Sequence, residues 1–380
     1  MRQVRTLTTL FLLCFLFLTS GCVHQNQTTV EAYNQEVYSP EYASGFRIVG
    51  SENTASTLIQ ISNPWQGAQQ ICKSYFIARK GEQAPKGFNG PVIQAGAQRI
   101  VCLSSSYIAM LDALRVVNRV KGVSGIHYIA HPYIRSHKDS IADLGPEMNY
   151  ERLVGLRPDV VLLYGIGDAQ TAVTQKLDEL HIPYLYMGEY LEESPLGKAE
   201  WMVVLAELID KRARGITLFR QIPERYRQWK ALADSVSVRP TVMFNTPWND
   251  SWVMPSTQSY MAQLVNDAGA RYLYQENHTN RSTPIGLETA YQLIQQADYW
   301  IHVGSATSLS ELKAMNPKFA DAKAVKENKV YNNNLRLTPQ GGNDYWESAV
   351  VRPDVVLRDL IHIFHPELVS DSLYYYRHLK

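Results

Sequence analysis

Cysteine is scarce. Four occur in 380 residues, at positions 14, 22, 72 and 102. None stands at the spacing of a zinc or redox motif, so neither a disulfide framework nor a cysteine-built metal centre organises this chain. Net charge is nearly absent as well: 37 basic residues against 36 acidic ones leave a formal charge of +1. That balance argues against a nucleic-acid surface built on bulk charge, and nucleic acid is not expected among the partners. A full catalytic signature is also missing. The stretch "GVSGI", 122–126, lacks the second glycine spacing of G-x-S-x-G, so a strained serine elbow is not signalled. In "YGIGDAQ", 164–170, Gln170 stands where a nucleotide-binding loop has its third glycine. No enzymatic activity is expected, and an exported hydrolase is a distant alternative.

What is present begins at the N-terminus. "MRQVRTLTTLFLLCFLFLTSGC" places Arg2 and Arg5 before an apolar run from Leu10 to Leu18, then small residues and Cys22. This is the layout of a secretory signal over residues 1–21, and the run is too short for the roughly 20 residues of a membrane span. "LTSGC" resembles a lipobox, with Thr19 where leucine is usual, which makes Cys22 the expected lipidation site. An ordinary cleaved signal or a membrane anchor is the alternative. The chain is thus expected in the periplasm, held to the cell membrane through its lipid only. Residues 22–44 are polar and without a core-building period, and are expected to form a flexible tether. With Cys14 removed and Cys22 lipidated, Cys72 and Cys102 remain, either paired or as two buried thiols.

The mature chain alternates in texture. Residues 45–98 read as short β pieces, "FRIVG", "STLIQIS", "KSYFIARK" and "PVIQA". Residues 99–193 alternate strand and helix with spacings that fit βαβ units and a mostly parallel sheet. Residues 194–236 are helical, started by Ser194 and Pro195 and interrupted at Gly215 and Pro223, so two helical pieces or a kinked helix are expected. Residues 237–380 return to the βα texture. One local pattern occurs twice, as "NYERLVGLRPDVVLLYG" at 149–165 and "GLETAYQLIQQADYWIHVG" at 286–304: a glutamate at the head, an aspartate before an apolar run, then glycine.

These pieces in order, with "RIVCLSSSYIAMLDAL", "GEYLEESPLGKAEW", "KVYNNN" and "GGNDYWESAVVRPDVVLRDLIHIFHPEL", resemble bacterial solute-binding lipoproteins of the vitamin B12, haem and ferric-siderophore importer class. The resemblance covers nearly the whole mature chain. It implies an α/β fold of two lobes joined by one long helical connector, here with an N-terminal β extension. It further implies a monomer that holds a metal chelate between its lobes and delivers it to an inner-membrane ABC permease. Glu151 and Glu288, heading the repeated motif, are implied to dock on arginines of the permease. The helix dipole alone also accounts for an acidic residue there.

In such a fold, ligand-contacting residues lie in loops at the carboxyl ends of the strands. Those loops offer Ser105, Tyr107, Tyr128 and Tyr164 in the first lobe. The second offers Trp248, Trp252, Arg336, Tyr345 and Trp346. An aromatic-rich wall with few charges suits planar macrocycles and catecholates, and Arg336 suits an anionic ligand group. The expected ligand is an iron chelate, siderophore or haem, with cobalamin as the alternative. A scaffold without a ligand is the remaining class. His127, His131 and His137 share a loop but have no matched carboxylate spacing, and no bound metal or cofactor is expected.

Overall fold

The computed structural model describes residues 28–166 and 169–380. The signal and Cys22 lie outside them. Among the described residues, three five-stranded sheets and two small two-stranded ones carry the architecture.

The N-terminal sheet runs in the order Gln35–Tyr38, Phe46–Gly50, Thr57–Ser62, Cys72–Ala78, Val92–Gln94, antiparallel except for the last pair. Alternation along its strands sorts the apolar residues to two faces. Phe46, Ile48, Ile59, Ile61, Tyr75 and Ile77 join the main core. Val49, Leu58, Phe76 and Ala78 form a second cluster that Tyr33 and Phe88 cover. Part of the segment expected as tether belongs to this sheet. Tyr33 is buried with its ring edge-on to Phe76 at 5.8 Å, and Gln35–Tyr38 pairs with the next strand. The segment's few aromatics are too widely spaced to show a period along the chain, and they find their partners only on the folded sheet.

The first lobe is built on a wholly parallel sheet, in the order Tyr184–Tyr186, Val160–Leu163, Ile100–Cys102, Val120–Val123, Ala142–Asp143. Val160–Leu163 is buried along its whole length, as a strand covered on both faces must be. The second lobe has the order Arg271–Tyr272, Thr241–Phe244, Tyr299–Ile301, Val330–Asn332, Arg377–His378, parallel except for the final strand. The two strand orders differ, so the lobes are not copies. The repeated motif is nevertheless a repeated local structure. Asp159 accepts from the amides of Gln98 and Arg99 at 2.6 and 2.9 Å, and Asp298 accepts from the amide of Thr241 at 2.7 Å. Each aspartate thus ties the motif strand to the start of the lobe's first strand.

Between the lobes lie the helices Pro195–Glu200, Met202–Leu208 and the 23-residue Arg212–Asp234. Pro223 lies inside the last of these without ending it, so of the two expected forms the break into pieces does not occur there. Gly215 sits where a Cβ would come within 2.3 Å of the Ala206 Cβ, so glycine lets the long helix close on its predecessor. The N-terminal sheet is bolted to this region by buried carboxylates. Glu192 accepts from the amides of Ser44 and Gly45 and from Trp201 Nε1 at 2.8 Å. Glu207 accepts from Arg79 and Arg212, each at 2.8 Å.

Cys72 and Cys102 are both free, which settles against a disulfide. They belong to different sheets. Cys102 is buried, whereas Cys72 is exposed rather than core. Among the described residues no helix is long and apolar enough to cross a membrane.

Candidate functional site

The helix Ser105–Ala113 of the first lobe packs against Asp344–Ser348 and the turn Ala349–Val351 of the second. Beside this contact opens a cleft of about 270 Å³. Both lobes and the connector line it, with Tyr190, Lys198, Tyr260, Tyr345 and Trp346 as its main walls. Its first-lobe side sits at the carboxyl end of the parallel sheet, where such sheets present binding residues.

The polar groups at its base form a short chain. Ser104 and Ser106 share a hydrogen bond at 2.9 Å, and Ser106 donates to Glu189 Oε1 at 2.7 Å. Glu189 is only 4% exposed, and its other oxygen, Oε2, has no hydrogen-bond partner. Burial pushes the Glu189 carboxyl above its ordinary range, against the opposing charge of Lys198 and the Ser106 bond. Lys198 Nζ donates to the main-chain carbonyl of Glu189 at 3.1 Å and lies 4.5 Å from the Tyr260 ring centre. Burial pulls its ammonium below the usual lysine range, while Glu189 and Glu192 oppose that. The Tyr260 hydroxyl is pushed up to about 12 by burial.

Two further cavities continue from the cleft, the first adjoining it and the other adjoining the first. One of about 200 Å³ shares Tyr190 and Tyr260 with it and adds Gln66 and Arg281. The other, of about 780 Å³, shares Gln66, Glu193 and Arg281 with the first and runs along the N-terminal sheet. Gln66 reaches this position because Trp65–Gln66 pairs in parallel with Gly165–Ile166, just past Tyr164. This small parallel pair, rather than the N-terminal sheet itself, brings Gln66 to the cavity next to the cleft.

Residues 100–334 match the model of the periplasmic binding protein family. The chain belongs to that family. An uncharacterized lipoprotein of Methanocaldococcus jannaschii is 24% identical over 96% of this chain and 94% of its own length. A periplasmic haem-binding protein from Pseudomonas aeruginosa superposes with a TM-score of 0.56 at 19% identity, over 74% of this chain and 97% of that one. A possible iron-binding, periplasmic solute-binding protein from Staphylococcus epidermidis gives 0.56 at 15% identity, over 71% and 99%. At such identities these two structures speak for the fold: a two-lobed α/β periplasmic binding protein with a long helix between lobes.

Of the nine ligand residues expected from sequence, this periplasmic binding protein brings Tyr345 and Trp346 to the cleft. Trp346 is half exposed there and stands perpendicular to Tyr345 at 5.0 Å. Ser105 begins its helix between Ser104 and Ser106, and it is these neighbours that line the cleft. The Tyr164 ring lies 6.5 Å from that of Tyr190. Tyr128 and Trp248 are open to solvent outside the cleft's lining. Tyr107 and Trp252 must be corrected, because both are completely buried. Tyr107 points inward from its helix. Trp252 lies on the strand Ser251–Met254 rather than a loop, its Nε1 donating to the Phe244 carbonyl at 2.7 Å and its ring edge-on to Phe319 at 5.1 Å. Arg336 is already neutralised by Asp344 at 2.6 Å and lies over the Tyr374 ring, so it is not a free anion site.

His131 meets Asp112 at 3.4 Å and His137 stacks on Tyr133 at 4.0 Å, while His127 lines a separate cavity. Among the described residues no group of three or more metal-binding side chains assembles. Glu151 and Glu288 are both exposed, each the second residue of its helix, at Tyr150–Leu156 and Leu287–Ile294. Sequence reasoning missed Glu189, Tyr190, Lys198 and Tyr260. In the sequence Lys198 belongs to the connector, yet its helix starts at the Ser194 cap and directs this cation back into the cleft.

Proposed function

We propose that this periplasmic binding protein is anchored by a lipid on Cys22 and captures an iron chelate, a ferric siderophore or haem, for an ABC permease of the inner membrane. The observation that carries the reading is the aromatic wall of Tyr190, Tyr260, Tyr345 and Trp346 gathered from both lobes around one cleft. Stacking and area burial on such a wall suit flat, polarisable ligands. Neighbours of the same fold named for iron and haem support the choice. A whole chelate is larger than the 270 Å³ cleft, so it occupies the adjoining groove as well, or parts the lobes on entry. Glu151 and Glu288, exposed at helix starts on the two lobes, are the proposed docking charges for the permease.

The test is native mass spectrometry and absorbance of protein purified with its natural ligand, followed by calorimetry against haemin, several ferric siderophores and cobalamin. Submicromolar binding of an iron chelate supports the reading. Tight binding of cobalamin alone moves the function to that alternative, and binding of none, with no copurified ligand, leaves a scaffold role.

A further inference from the structure

Lys198 and Glu189 stand at one end of the cleft without meeting each other. The ammonium donates to the main-chain carbonyl of Glu189, not to its carboxylate, and makes one other contact, with the face of Tyr260. An ammonium has three donors, so this one retains capacity toward the cavity it lines. The carboxylate is half used. Ser106 fills Oε1, while Oε2 is buried without a partner. An unmet buried acceptor beside a half-buried, underused cation is costly in a folded protein unless something completes both. The walls around the pair are Tyr190, Tyr260 and Trp346, and the space is too small for more than a compact group.

We infer that Lys198 and Glu189 form a head-group subsite for a ligand bearing an anionic oxygen next to a hydrogen-bond donor, as in an α-hydroxy- or α-amino-carboxylate. The anion pairs with Lys198, the neighbouring hydroxyl or ammonium donates to Glu189 Oε2, and the rest of the ligand runs toward the aromatic wall. This rests on the chelate reading and narrows it to chelates with a free acid arm of that kind, since a haem propionate has no donor beside its acid and would meet Lys198 alone. It also selects against ligands whose acids are esterified or amidated, since the half-buried lysine would then be left unpaired.

Three small probes separate the two contacts: mandelate has both anion and hydroxyl, phenylacetate only the anion, methyl mandelate only the hydroxyl. Calorimetry on the lipid-free mature protein is expected to show mandelate binding at least about tenfold tighter than either of the others. Lys198→Met should remove the advantage over methyl mandelate, and Lys198→Arg should restore part of it. Glu189→Gln, which keeps the Ser106 acceptor and replaces Oε2 by a donor, should remove the advantage over phenylacetate alone. Thermal midpoints of the ligand-free variants check that they fold. Equal affinities for the three probes in the native protein, equal losses of all three in a folded variant, or no mandelate binding at all would overturn the inference. Haemin and ferric siderophores titrated in parallel answer separately: their failure beside a positive mandelate result removes the iron reading and leaves the subsite.

Discussion

The Tyr38 hydroxyl donates to Glu200 Oε1 at 2.6 Å, across 162 residues of chain. The same carboxylate accepts from the amides of Glu41, Tyr42 and Ala43, each at 2.8 Å. Glu200 is completely buried, and these four donors replace its water. One side chain of the connector therefore fixes the turn that joins the first two strands of the N-terminal sheet. Glu200→Ala should cost at least about 3 kcal/mol, since hydrogen bonds to a charged group are worth about 1.5–3 kcal/mol each and the donors would be stranded. Glu200→Gln should cost less. Urea unfolding measures both, and an Ala variant as stable as the native protein would refute the bolt.

The tryptophans divide by burial. Trp252→Ala should destabilise by about 3–5 kcal/mol, because the ring is wholly enclosed and its Nε1 bond to Phe244 would be lost. Trp201→Ala belongs in the same class, with the same burial and a bond to Glu192. Trp248, 75% exposed, should shift stability by no more than about 0.5 kcal/mol when changed to Ala. Denaturant midpoints for the three variants settle the ranking.

Stability should depend on pH through Glu347. Its Oε2 accepts from the Ala130 amide of the other lobe at 2.9 Å, Oε1 has no partner, and burial pushes the carboxyl from 4.5 up to about 7. The folded protein holds this proton where the unfolded chain has released it. The contribution is therefore complete below about pH 4.5 and fades as pH rises through about 7, a change on the order of 3 kcal/mol. Glu347→Gln keeps an acceptor for Ala130 and cannot ionise, so it should flatten this part of the stability profile. An unchanged profile between pH 4.5 and 7.5 would mean that Glu347 titrates normally.

Reversal of the two exposed glutamates tests docking apart from binding. Glu151→Lys with Glu288→Lys should leave ligand affinity within about threefold, as charges outside the cleft do, yet abolish stimulation of permease ATPase and uptake in reconstituted vesicles. Exposed ion pairs give only about 0.2–1 kcal/mol, so the loss should be greatest at low salt, where attraction had steered the encounter. Undiminished uptake would leave the pair only its effect on the helix dipoles.

Much of the frame could be read from local pattern. The apolar run Val160–Leu163, the cap and proline at Ser194 and Pro195, and the twice-used Glu and Asp motif are set by period and by backbone chemistry within a few residues. Those signals give α/β lobes around a helical middle, and they place Tyr345 and Trp346 on a segment that reaches the cleft. They fail where partners are far apart in sequence. Nothing near Trp252 says that Phe244 and Phe319 will enclose it, and nothing near Lys198 says that Tyr260 and Glu189 will face it. Nor does the polar run before Phe46 betray that Glu192 and Glu200 will gather its amides. Secondary structure follows from neighbours along the chain, whereas burial, pairing of charge and the shape of a cleft are properties of surfaces brought together by packing. Which elements form follows from residues close along the chain; which side chains line the cleft depends on contacts that exist only once those elements have packed.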